Sequence, residues 1–190
     1  MTDVRSEQAD DAELLRRIAR RDRQAFAAMY RRYQPRLHGY LRRLLSDGQI
    51  AEEVFDDVMF VVWKDARRFA GDSAASSWIF GIAYRRAMSA LRSELRHHAR
   101  VDHNADAEAI AAARPKGRNL IEAALRRLSP NHRQVVELTY FFGFSYKEIA
   151  AIADCPVNTV KTRMFHARKR LKFLLPRLAG EKEGRDREHG

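Results

Sequence analysis

One stretch near the C-terminal end leaves the chain little freedom of fold: Ser145-Tyr146-Lys147-Glu148, a short apolar run, Asp154-Cys155-Pro156, then a long basic segment. The first four residues spell a capping box, in which the Ser145 hydroxyl serves the Glu148 backbone and the Glu148 carboxylate reaches back. A brief helix from Tyr146 to Ala153 is predicted. Asp154-Cys155-Pro156 reads as a tight turn, because proline restricts the residue before it and cannot continue a helix ladder. A last helix is predicted from about Val157 to Leu175. Upstream, Ser129 is an N-cap with Pro130 at the first helical position, and Gly143 closes that helix. Leu120, Ile121, Ala124, Leu125 and Leu128 form the face of another. A short capped helix, a tight turn and a longer helix read as a helix-turn-helix.

On the last helix Val157, Val160, Met164, Ala167 and Leu171 repeat at three and four and are expected to face the core. That phase turns Asn158, Thr159, Lys161, Thr162, Arg163, Phe165, His166, Lys169 and Arg170 outward. Seven Lys or Arg and no acid lie between Val157 and Leu178. A cationic face with polar side chains able to reach base edges suits DNA recognition.

Helical periodicity covers most of the remaining chain. Leu14, Leu15 and Ile18 begin it. Phe26, Met29, Tyr30, Tyr33 and Leu37 follow, then Tyr40, Leu41, Leu44 and Leu45. Pro35 is expected to kink or divide this stretch. Asp47-Gly48 is a break, and a further helix is predicted from about Ile50 to Arg67 on the stripe Val54, Val58, Val61 and Val62. Ala70 to Ser77 reads as a loop, and Trp78 to Arg92 as a helix burying Ile79, Ile82 and Ala83. Scarce Gly and Pro point away from sheet. The expected fold is all-α: an N-terminal segment (1–24), a helical domain (25–93), a flexible linker (94–118) with one weak turn around Ala107 to Ala113, a helix-turn-helix domain (119–178) and a disordered tail (179–190).

Composition narrows the class. Lys and Arg number 36 against 25 Asp and Glu, a net charge of +11, which favours a polyanionic partner. Cys155 is the one cysteine, so an internal disulfide and a cysteine-based zinc cluster are excluded. His97, His98 and His103 lack companion ligands at a repeating spacing, so no metal is expected. The acidic N-terminus is no signal peptide, and the apolar run Val58 to Trp63 is far too short to span a bilayer. A soluble, cytoplasmic protein is expected.

One segment opposes the overall charge. Between Ser46 and Ala66 stand six acids and one Lys. Glu52, Glu53, Asp56 and Asp57 fall on one helical face, where like charges repel by about 0.2–0.5 kcal/mol per pair. They could pair internally with Arg31, Arg32, Arg42 or Arg43. A di-iron site would need a Glu-x-x-His repeat, and this helix has no His. The remaining reading is docking onto a basic protein surface, with Phe55 and Met59 adding apolar contact. DNA would be repelled by this face.

Two stretches, residues 51–92 (AEEVFDDVMFVVWKDARRFAGDSAASSWIFGIAYRRAMSALR) and residues 128–171 (LSPNHRQVVELTYFFGFSYKEIAAIADCPVNTVKTRMFHARKRL), resemble the two domains of RNA polymerase sigma factors of the extracytoplasmic-function group. With its flanking helices, the likeness runs from about Ala25 to Leu175. It implies a transcription initiation subunit without enzymatic activity or cofactor. Its expected partners are core RNA polymerase (the β′ clamp coiled coil and the β flap), promoter DNA and an anti-sigma factor. Glu52, Glu53, Phe55, Asp56, Asp57 and Met59 then match the polymerase-binding element. Phe69, Asp72, Ser73, Ala75, Ser76, Trp78, Arg85 and Arg86 match the part that opens the -10 element and captures an extruded base. Asn158, Thr159, Lys161, Thr162, Arg163, Phe165, His166 and Lys169 match the -35 readers. Three positions depart from the family's habit. Arg85 stands where Asn is common, Ala75 where an aromatic residue is common, and Asp56-Asp57 where Gln-Glu is common. Promoter preference is therefore not transferable from relatives.

Overall fold

The computed structural model describes residues 4–45, 47–101 and 120–188. Among them are eight α-helices and no strand. Helices α1 (Val4–Ala19), α2 (Arg23–Leu44), α3 (Gly48–Asp65) and α4 (Ala75–Val101) form the first domain, with a 3-10 turn at Ala66–Arg68. Helices α5 (Leu120–Arg126), α6 (Pro130–Tyr140), α7 (Tyr146–Ala153) and α8 (Val157–Glu188) form the second.

Several boundaries differ from expectation. The N-terminal segment belongs to the first domain, because α1 buries Leu14, Leu15 and Ile18 against the bundle. Its buried Asp11 accepts from the Tyr33 hydroxyl at 2.6 Å and pairs with Arg32, which also holds Asp10. Pro35 does not divide the chain; α2 runs through it. The proline is exposed, so the carbonyl it leaves without a helical donor can meet water. Helix α4 starts at Ala75 and ends at Val101, longer at both ends than expected. The expected linker is thus helical up to residue 101, and the turn around Ala107 to Ala113 lies outside the described residues. The expected disordered tail is also helical as far as Glu188.

The local signals of the second domain hold. Ser129 caps α6, accepting from the His132 N–H at 3.4 Å. Gly143 takes φ +72°, three residues after the helix ends, as the Phe144 N–H turns back to the Leu138 carbonyl. In the capping box the Ser145 N–H donates to Glu148 Oε2 at 2.8 Å, and the Glu148 N–H to Ser145 Oγ at 3.3 Å. Asp154 ends α7 in the left-handed region, φ +48°.

The two expected domains are present, and they pack against each other. Their buried residues form one continuous core, from Leu14 to Ala87 and from Leu125 to Ala167. Helix α7 lies against α4, and α6 touches α2. At the seam Phe80 meets Phe142 and Phe144, with ring centroids at 5.5 and 4.9 Å, and Tyr40 meets Phe142 at 5.6 Å. The Arg43 guanidinium lies 3.9 Å from the Phe141 ring centroid. A Cβ on Gly81 would come within 3.7 Å of the Ile152 carbonyl, so α4 and α7 approach at backbone distance. A smaller cluster of Ala124, Leu174 and Leu178 ties α5 to the far part of α8.

Candidate functional site

Helix α3 is the acidic element, and its rotation is set by Ala51, Val54, Phe55, Val58, Met59 and Val62, all buried. That phase places Glu52, Glu53, Asp56 and Asp57 on the exposed face. Two of the four arginines suggested as internal partners are engaged elsewhere: Arg32 with Asp10 and Asp11, and Arg43 with Phe141. Three other contacts touch the ridge: the Gln49 side-chain amide donates to Glu53 at 3.4 Å, His38 Nδ1 lies 3.2 Å from Glu52, and Arg86 lies 3.7 Å from Asp57. The ridge still sets a local field. Tyr30 is pushed above the ordinary phenol range, first by partial burial and then by Asp56 and Glu52.

Phe55 and Met59 do not join the acids. Phe55 is 0% exposed, packed between His38 and Tyr30 at centroid distances of 4.3 and 5.1 Å, and Met59 is buried beside it. The apolar group that the ridge does present is Phe60, 61% exposed, one helical turn beyond Asp56 and Asp57. The sequence carried the signal for it, since Phe60 continues the i, i+4 row of the acids.

The second group gathers where α3 gives way to α4. Asp72 and Ser73 are exposed on the connecting loop, and Phe69 and Trp78 flank it, half-buried, with ring centroids at 5.8 Å. Ala75 and Ser76 are not on the loop. They begin α4 and are buried at 1% and 7% exposure, because small side chains there let the helix start lie close to the bundle. Arg85 and Arg86 are exposed on α4.

The third group is the first half of α8. Val160, Met164 and Ala167 are buried under α6 and α7, which turns Asn158, Lys161, Thr162, Phe165, His166 and Lys169 outward. Phe165 is 64% exposed, its ring edge against His166. His166 stacks on His132 of α6 at 6.1 Å. His132 is lowered from the ordinary histidine range, chiefly by partial burial and then by His166 and Arg163. The outward set is narrower than expected. Thr159 and Arg163 are half-buried, with Arg163 Nη1 toward Cys155 Sγ at 3.8 Å, and Val157 is exposed rather than in the core. The Thr162 hydroxyl donates to its own helix, to the Asn158 carbonyl at 2.9 Å. Arg168, not singled out from sequence, is exposed and donates to the Tyr140 hydroxyl at 2.8 Å. The periodicity concealed it, because it lies one turn after the core residue Met164.

Among the described residues no group of His, Cys, Asp and Glu could hold a metal ion, and no helix is long and apolar enough to cross a membrane. The molecule thus displays an acidic ridge, a loop flanked by aromatics, and a basic helix face presented by a helix-turn-helix.

The family model for sigma-70 region 2 matches residues 29–97, and that for sigma-70 region 4 matches residues 118–171. The chain is 31% identical over 171 residues to the ECF RNA polymerase sigma factor SigK of Mycobacterium tuberculosis, covering 85% of this chain and 91% of the relative. It is 32% identical over 187 residues to the RNA polymerase sigma-H factor of Pseudomonas aeruginosa, covering 90% and 97%. Among solved structures, the sigma factor RpoE of Bartonella quintana, in complex with the anti-sigma factor NepR, superposes with a TM-score of 0.65 at 28% identity, covering 80% of this chain and 96% of that one. CnrH, in complex with the cytosolic domain of CnrY, shares the fold with a TM-score of 0.66 at 22% identity, covering 88% and 97%. The chain therefore belongs to the sigma-70 family, as an RNA polymerase sigma factor of the extracytoplasmic-function group.

Proposed function

We propose that the acidic ridge of α3 docks this sigma factor onto core RNA polymerase, at the basic coiled coil of the β′ clamp, with Glu52, Glu53, Asp56 and Asp57 supplying charge and Phe60 the apolar contact. The carrying observation is that four like charges stay exposed on one helix face of a chain with net charge +11. Isolated, such a row costs stability; opposite an arginine-rich surface it steers association and sets register.

The loop with Asp72 and Ser73, flanked by Phe69 and Trp78, captures a base of the -10 element, while Arg85 and Arg86 hold phosphates nearby. An aromatic wall beside a polar loop suits this, because unstacking a base costs a few kcal/mol that ring contact offsets. In this reading Ala75 and Ser76 support the loop from inside and do not touch DNA. The outer face of α8 reads the -35 element: Lys161, Thr162, Phe165 and His166 face base edges, while Asn158, Lys169 and Arg168 serve the backbone. Thr159 and Arg163 hold the recognition helix in place. Region 4 also meets the polymerase β flap. Two modest DNA contacts joined in one chain bind more tightly than either alone. The chain acts in the cytoplasm, and an anti-sigma factor restrains it; the similar RpoE is seen in complex with the anti-sigma factor NepR.

The test reverses charge on the ridge. Glu53→Lys with Asp56→Lys is expected to abolish binding to core polymerase in a pull-down or by gel filtration, with the helical circular dichroism spectrum unchanged. Unaltered core binding would remove the clamp assignment.

A further inference from the structure

Of the outward side chains of α8, Thr162 is tied to its own helix, whereas the His166 ring is met by another element. His132 of α6 stacks on it, with ring centroids at 6.1 Å and planes 27° apart. Phe165 meets the same ring nearly at right angles, at 5.4 Å. Two sides of His166 are therefore occupied, while the side chain as a whole stays exposed.

The position of His132 is set by the fold itself. It stands on the first turn of α6, where its N–H donates to the Ser129 hydroxyl at 3.4 Å and Pro130 fixes the start of the helix. The next turn buries Gln134, Val135 and Val136, and α6 packs against α8, so His132 is left half-buried beside the outer face. Burial first, then the charges of His166 and Arg163 that face it, hold His132 below the ordinary histidine range. At neutral pH its ring is thus largely uncharged and lies against His166 without adding to a cationic surface. Arg163 is turned aside, its Nη1 toward Cys155 Sγ at 3.8 Å.

An exposed histidine on a bare helix is spread over several staggered rotamers. Ordering such a side chain on binding lowers affinity, and an orientation set in advance avoids that loss. A spread of ring directions also blurs recognition, because base pairs differ in where their donors and acceptors point. An aromatic pair at this separation favours the stacked arrangement by about two- to tenfold. We propose that His132 is a positioning residue for -35 recognition: it stacks on His166 and fixes the direction in which that ring meets a base edge, without touching DNA itself. The proposal rests on the reading of α8 as the -35 helix given above, and adds to it a residue from outside that helix.

The experiment uses the full chain assembled with core RNA polymerase, and a promoter it transcribes with the -35 element randomised; bound DNA is sequenced. Wild type is compared with His166→Ala, His132→Ala, His132→Phe and the double variant His132→Ala with His166→Ala, each also followed through a thermal melt. His166→Ala defines the base positions that this ring reads. His132→Ala is expected to relax preference at those same positions by about two- to tenfold, with the other positions as in wild type. His132→Phe keeps a flat ring and should restore the preference. The double variant should match His166→Ala, because both single changes remove one shared interaction. A uniform loss across the library with a lowered melting temperature would make His132 a packing residue and overturn the proposal. So would a change at positions that His166→Ala leaves untouched, which would put His132 on the DNA. If His166→Ala shifts preference and His132→Ala does not, the proposal alone falls. If His166→Ala shifts nothing, the -35 assignment of His166 falls and takes the proposal with it.

Discussion

Phe55 and Phe60 lie on one helix yet have opposite environments, one sealed between His38 and Tyr30 and the other open beside the acids. Truncating each separates packing from docking. Phe55→Ala should lower unfolding free energy by about 3–5 kcal/mol, the usual cost of emptying a buried aromatic site. Phe60→Ala should leave stability within about 0.5 kcal/mol, as surface changes do, and weaken core polymerase binding. Urea denaturation and a core-binding titration measure the two quantities. Equal stability loss in both would mean that α3 is rotated otherwise than described.

Helix α7 is only eight residues long, below the length at which a helix sustains itself in water. It is held from outside: the Ser145–Glu148 box at its start, Asp154 in left-handed conformation at its end, and Ile149 and Ile152 in the core. Ser145→Ala removes the hydroxyl acceptor and should cost about 0.5–2 kcal/mol. Because α7 braces α8 against the bundle, loss of affinity for duplex DNA should follow the loss of stability. A thermal melt and an anisotropy titration of the same variant test this; an unchanged melting temperature would show that the box contributes nothing.

The shared core packs the two domains together along the seam between α4 and α7. Gly81 sits where those helices approach at backbone distance. Gly81→Leu should therefore drive the domains apart and raise the radius of gyration in X-ray scattering, with helix content retained. A compact variant would show that the seam tolerates the wedge. The seam also has a pH signature. Glu137 is 0% exposed, and burial raises its carboxyl above the usual range despite Arg133 at 2.8 Å and the Arg43 charge. Tyr40 across the seam is raised in turn, by burial first and then by Glu137. A carboxyl raised in the fold contributes stability that is complete below its unfolded value, near 4.5, and lost as pH rises through its folded value. Wild type should thus lose stability relative to Glu137→Gln as pH climbs from about 4 toward neutrality, read by urea midpoints. Parallel profiles would place Glu137 outside the balance.

What residues could say alone concerned near neighbours and charge. The Ser129 cap, the Ser145–Glu148 box, the Gly143 turn and the brief helix to Ala153 were legible because each is closed by hydrogen bonds within a few residues. The acidic and basic faces were legible because charge avoids burial wherever the helices go. The tertiary structure decided what depends on a helix's rotation and its neighbours. It put Phe55, Met59, Ala75 and Ser76 inside and Phe60 and Val157 outside, drew α1 into the bundle, joined the two domains, and brought His132 to His166. A spacing of three and four marks the middle of an apolar stripe but not its edges, and it is at the edges that packing against another helix chooses between core and surface.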